Sequence, residues 1–143
     1  MNEFKFEDFE IDFRNPLGEG VFGAVYKATR KNSNEVYAIK RISIKDLNIY
    51  EIQQIQEEIL SMKLLKCENS INFFGKFQEK DYIYLIMELC DCSLKKIINE
   101  KKILNAKEIK EILEQLNNVF KIMYDNAIIH RDIKPENILI KKI

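Results

Sequence analysis

Turn-bounded strand segments come early in this chain and helical apolar stripes dominate late, and that order restricts the folds open to it. Residues 23–28 and 35–42 read as two strands around the polar turn Lys31-Asn32-Ser33-Asn34, which predicts one β-hairpin. Residues 71–77 and 82–88, rich in Ile, Phe and Tyr, flank Gln78-Glu79-Lys80-Asp81 and predict a second. Between them, Ile52, Ile55, Ile59, Met62 and Leu65 form a helical stripe over residues 48–66. A short helix over 93–100, with Ser93 as N-cap, comes next. The clearest helix, 106–125, repeats Ile109, Ile112, Leu113, Leu116, Val119, Phe120 and Met123 on one face. Strands come early and helices late, which predicts an α+β fold of two lobes meeting near residues 89–93.

Composition narrows the class. The 143 residues are 46% hydrophobic and 32% charged, as in a soluble globular protein with a real core. Lys plus Arg equals Asp plus Glu at 23 each, so no overall field favours nucleic acid or an anionic membrane. No stretch has the roughly 18 apolar residues of a spanning helix, and residues 1–12 interleave acids with Phe4, Phe6 and Phe9, unlike a signal peptide. Cys67, Cys90 and Cys92 lack metal-site spacing and fit reduced thiols of a cytoplasmic chain.

Gly18-Glu19-Gly20-Val21-Phe22-Gly23, completed by Val25, fits G-x-G-x-x-G-x-V. Glycine lets backbone N–H groups approach phosphate oxygens with no Cβ in the way. A dinucleotide-binding loop with the same glycines opens a helix, whereas this one opens a strand. A Gly-rich hairpin turn without a ligand would show the same pattern. On the next strand, Val36, Ala38 and Lys40 share one face, and Tyr37, Ile39 and Arg41 the other. If the first face is covered, the Lys40 ammonium needs an anionic partner; otherwise it is an ordinary solvated lysine. Glu58 and Glu57, on the following helix, are the candidate carboxylates, with Glu58 at the edge of the apolar stripe.

Near the C-terminus stands His130-Arg131-Asp132-Ile133-Lys134-Pro135-Glu136-Asn137, which contains the only histidine. It resembles the H-R-D-L-x-x-x-N catalytic loop of eukaryotic protein kinases. With the glycine loop, Ala38-Ile39-Lys40 and Glu58, four kinase-like motifs occur in kinase order, and the resemblance spans about residues 10–143. Lys134, two residues after Asp132, resembles the serine/threonine rather than the tyrosine class. The implied fold is a protein-kinase-like one, with an antiparallel β N-lobe of about residues 10–88 carrying one main helix. Residues 89–143 would form the hinge, the first C-lobe helices and the catalytic loop.

The resemblance also implies roles. Asp132 would accept the proton of a substrate hydroxyl, Lys134 would steady the γ-phosphate and Asn137 would bind one Mg²⁺. The 18–23 loop would cover the ATP phosphates, and Lys40, held by Glu58, would grip the α- and β-phosphates. Leu17, Val25, Ala38 and Leu139 look like the apolar slot for adenine, with Met87 as gatekeeper and Glu88 and Cys90 as hinge positions. For Met87 and Leu139 a plain core role fits as well, and Asp132 could be a loop carboxylate paired with Arg131 or Lys134. The region after Met87 has fewer glycines than the usual hinge, and Cys67 stands where many kinases have His.

The family's Asp-Phe-Gly, source of the second metal ligand, follows the catalytic loop by about a dozen residues, and the sequence reaches Ile143 before it. The one Asp-Phe pair, Asp8-Phe9, is followed by Glu10. The expectation is therefore an ATP- and Mg²⁺-dependent serine/threonine protein kinase domain, incomplete here and inactive alone. Its partners would be a protein substrate, with no nucleic acid or membrane, and a partner or dimer contact through helix 106–125. The alternative is a non-catalytic kinase-like protein that binds a nucleotide or a partner.

Overall fold

A computed structural model describes residues 3–142. The expected α+β architecture is present. Five antiparallel strands, β1 (Phe9–Glu19), β2 (Gly23–Arg30), β3 (Val36–Ser43), β4 (Phe73–Glu79) and β5 (Tyr82–Glu88), form one sheet in the order β1-β2-β3-β5-β4. Helix α1 (Ile49–Leu64) lies between β3 and β4 in sequence. The chain divides into two compact units, residues 1–62 with 71–89, and residues 63–70 with 90–143.

In the first unit the sheet is covered on both faces, as the two-residue period of β3 and β5 allows. Ile42 and Leu85 on one face pack with Ile55 and Ile59 of α1. Ile39, Tyr84 and Ile86 on the other pack with Phe9 and Ala28. That outer face is closed by an element the sequence did not disclose. A 3₁₀ turn, Phe6–Asp8, and the strand after it bring Phe4, Phe6 and Phe9 over the sheet. Phe9 stacks on Phe77 at 6.0 Å between centroids, and Phe77 on Tyr84 at 4.8 Å. The segment read only as lacking a leader signature thus carries, from Phe4 onward, part of a core and the start of β1. Helix α1 occupies 49–64 rather than 48–66, and Ile52 of its expected stripe is exposed.

The second unit contains α2 (Leu94–Lys101), α3 (Ala106–Asp125) and a two-residue pairing of β6 (Cys92–Ser93) with β7 (Leu139–Ile140). Ser93 caps α2, its side chain accepting from the Lys96 N–H at 3.2 Å. Asn105 and Glu108 form a reciprocal capping box at the start of α3. Of the α3 stripe only Met123 is buried, while Ile109, Leu113 and Phe120 are exposed.

Candidate functional site

In the first unit, the glycine loop is the turn between β1 and β2. The Gly20 N–H donates to the Gly23 carbonyl at 2.8 Å, and Gly18 pairs with Val25 across the hairpin. The three glycines are not equivalent. A Cβ on Gly23 would lie 1.9 Å from the Arg41 carbonyl oxygen, so β3 backbone occupies that space. A Cβ on Gly18 would meet nothing within 4 Å, and one on Gly20 only the Gly23 carbonyl oxygen, at 3.8 Å. Gly23 is therefore required by strand packing, and the room above Gly18 and Gly20 is left open. Within this loop Val21 is fully exposed, Leu17 and Glu19 are exposed, and Phe22 packs with the α1-side core.

Lys40 stands opposite Val25 on β2 and Leu85 on β5, on the face that α1 covers. Its Nζ lies 2.6 Å from Glu58 Oε1, with 20% of the Lys40 side chain and 37% of the Glu58 side chain exposed. Glu57 points elsewhere, accepting from Gln53 at 3.2 Å. Of the two carboxylates, Glu58 is the one that meets the lysine. Ala38 is buried and faces Met87, also buried, across the β3–β5 ladder.

Glu88 is clamped by a residue that sequence reading passed over. Its N–H donates to the Asn72 carbonyl at 2.9 Å, and its carboxylate accepts from the Asn72 side chain at 3.0 Å. A lone Asn ahead of a strand carries no pattern that would have marked it.

In the second unit, the loop ahead of β7 brings Asp132, Lys134 and Asn137 together. Asn137 Nδ2 donates to the Asp132 carbonyl and to Asp132 Oδ2, each at 3.0 Å. Lys134 Nζ lies 3.3 Å from the same Oδ2. Asp132 Oδ1 takes no hydrogen bond among the described residues, so one carboxylate oxygen is anchored and the other is open to a proton donor. The amide orientation also matters. With Nδ2 committed to Asp132, Asn137 turns Oδ1 the other way, and a carbonyl oxygen is a suitable ligand for a hard cation such as Mg²⁺.

The loop is shaped by unusual backbone. Arg131 has φ 68°, in the left-handed region that costs a non-glycine residue about 1 kcal/mol or more. The Asp132 N–H donates to His130 Nδ1 at 3.2 Å, which ties the turn across that residue. A 3₁₀ turn, Pro135–Asn137, then leads into β7 with Pro135 at its start, where a missing N–H is harmless. Leu139 pairs with Ser93 and is half exposed, and Cys90 is partly buried. Of the two partners that sequence allowed for Asp132, Lys134 is the one in reach.

The sequence model of the protein kinase domain family matches residues 11–143, so the chain belongs to that family. Among its curated relatives is the serine/threonine-protein kinase pakG of Dictyostelium discoideum, 39% identical over 88% of this chain and 10% of that protein. Another is the probable serine/threonine-protein kinase zyg-1 of Caenorhabditis briggsae, 40% identical over 87% of this chain and 17% of that protein. A third, the serine/threonine-protein kinase ULK3 of Xenopus laevis, is 34% identical over 97% of this chain and 30% of that protein. The chain therefore spans under a third of the length of each. No helix of the described residues is long and apolar enough to cross a membrane.

Proposed function

We propose that these residues serve ATP- and Mg²⁺-dependent transfer of a phosphoryl group to a serine or threonine hydroxyl of a protein. The observation that carries this reading is the 2.6 Å ion pair between Lys40 on β3 and Glu58 on α1. On the covered face of the sheet the Lys40 ammonium needs an anionic partner, and Glu58 supplies it from the helix. A lysine destined for phosphate needs its ammonium held in place.

The remaining roles follow from chemistry. Gly18 and Gly20 leave room for phosphate oxygens above the loop backbone. Asp132, anchored through Oδ2, offers Oδ1 to the substrate hydroxyl proton. Lys134, beside it, supplies positive charge for the transferring group. Asn137 Oδ1 would hold Mg²⁺, which when bound neutralises phosphate charge. The transition state is loose, so these groups act by position and electrostatics, with no covalent step on the protein. In the first unit, Leu17, Val25, Ala38 and Met87 would contact the adenine ring, with Glu88 offering a backbone group to its edge.

The test is transfer of labelled γ-phosphate to serine- and threonine-containing peptides by a protein that carries these residues together with the family's Asp-Phe-Gly segment. Asp132→Asn is expected to lower the rate by about 10²-fold or more, the usual worth of a general base, while ATP binding persists. Transfer that is unaffected by this variant sinks the assignment of Asp132. A parent protein that binds ATP but transfers nothing sinks the catalytic reading and favours a nucleotide-binding role.

A further inference from the structure

The outer face of the first unit carries a second polar cluster, centred on Arg41 and bordered by the glycine loop. Arg41 follows Lys40 on β3, so the two-residue period turns it to the opposite face of the sheet. There its guanidinium carbon lies 4.7 Å from the Phe13 ring centroid, 4.8 Å from Tyr82 and 5.3 Å from Tyr26. Such contacts engage the cation through the ring quadrupoles. They do not satisfy its five N–H donors, which lie in the guanidinium plane. One of these, on Nη2, reaches the Tyr26 hydroxyl at 3.4 Å. Among the described residues no carboxylate lies within ion-pair distance of Arg41.

Beside this cation is an open cavity of about 280 Å³, lined by Glu19, Gly20, Tyr26, Arg41, Ser43 and Tyr82 among others. The guanidinium, the Ser43 hydroxyl and two phenol groups supply donors, and the tyrosine rings supply flat walls. Glu19 is the one carboxylate on the lining. The volume is below that of a drug-sized site, so the ligand is a small group. A forked, permanently charged donor set matches a phosphate head, and aromatic walls match a planar group attached to it.

We propose that this cavity binds a phosphate monoester, head against Arg41 and carbon skeleton along the Tyr82 side of the cavity. The proposal does not rest on the reading of the Lys40 side of the sheet. It is tested by titrating the protein with phenyl phosphate, inorganic phosphate and phenol while following the Arg41 side-chain and Tyr26 and Tyr82 ring signals by NMR. Phenyl phosphate should shift these signals saturably, more tightly than inorganic phosphate, and phenol should not. Arg41→Gln should weaken binding about tenfold or more, as expected for losing a charge-assisted contact. Lys40→Met should leave it unchanged. Glu19→Gln, an exposed substitution with little risk to folding, should tighten it by removing a repelling charge, and decides the matter if Arg41→Gln fails to fold. Absence of saturable shifts overturns the site. So do equal affinities for inorganic and phenyl phosphate, binding that survives Arg41→Gln or is lost in Lys40→Met, and a Glu19→Gln variant that binds no more tightly than the parent.

Discussion

Replacing Gly23 by Ala should damage the fold, whereas the same change at Gly18 or Gly20 should not. None of the three has a φ that only glycine tolerates, so the difference is steric. A Cβ at Gly23 would sit 1.9 Å from the Arg41 carbonyl oxygen, 2.9 Å from its carbon and 3.2 Å from Ile42 Cα. All three are backbone atoms, so no side chain can rotate away. Restoring ordinary contact requires β2 and β3 to part by about 1.5 Å where Gly23 faces Ile42. Overpacking of this kind costs about 1–3 kcal/mol, and a weakened ladder hydrogen bond adds about 1 kcal/mol. A total near 3 kcal/mol corresponds to a melting temperature lower by roughly 10 °C for a chain of this size. At Gly18 and Gly20 the added methyl meets open space, and the stiffer unfolded chain even favours folding by a few tenths of a kcal/mol or more, up to about 1 kcal/mol. Thermal and urea unfolding followed by circular dichroism separate the cases. Three variants that unfold together, or a Gly18→Ala variant less stable than Gly23→Ala, would refute the steric argument.

Other outcomes follow from the same geometry. Glu58→Gln should change stability by less than about 1 kcal/mol, because the pair is partly solvated. It should still weaken ATP binding, which Glu57→Gln should not, as calorimetry would show. Asn105→Ala should cost about 1 kcal/mol through loss of the α3 cap, read from urea midpoints. The Glu108 carboxyl is held below its ordinary value, first by the Lys101 side chain and then by the Asn105 N–H. A carboxylate lowered in the folded state contributes stability above its unfolded value, and that contribution is lost as pH falls through the folded one. Amide exchange at the start of α3, corrected for intrinsic rates, should therefore quicken as the medium is acidified below the ordinary carboxylate range. Glu108→Gln should remove that dependence. The Tyr84 phenol, pushed up chiefly by burial, should favour the folded state below its ordinary pKa and release that stability only as pH rises through its folded value.

What could be read in advance depended on whether a local pattern matched the final surroundings. Strands β2, β3 and β5 have one or both faces in a core, so they keep runs of β-branched and aromatic residues bounded by polar turns. Strand β1 does not: only Phe9 is buried, and its register shifts around Pro16, which an irregular edge strand accommodates. Phe4 and Phe6 looked like isolated aromatics among acids because their packing surface is supplied by residues far along the chain. The helix over Ala106–Asp125 was legible to the residue from its apolar stripe, yet the stripe alone did not say which residues would be buried. The choice of Glu58 over Glu57 was open to sequence because a one-residue step on a helix turns a side chain by about 100°. Nothing local foretold that Arg41 would be surrounded by rings from three other strands, or that Asn72 would hold Glu88.

The central proposal, that Lys40 and Asn137 each contribute to binding Mg-ATP, is tested most directly by calorimetric titration. The parent chain should bind saturably, Lys40→Met should weaken binding about tenfold or more, and Asn137→Ala should reduce the gain that Mg²⁺ brings. Equal affinity in the parent and in Lys40→Met, or no binding by a folded parent, would contradict it.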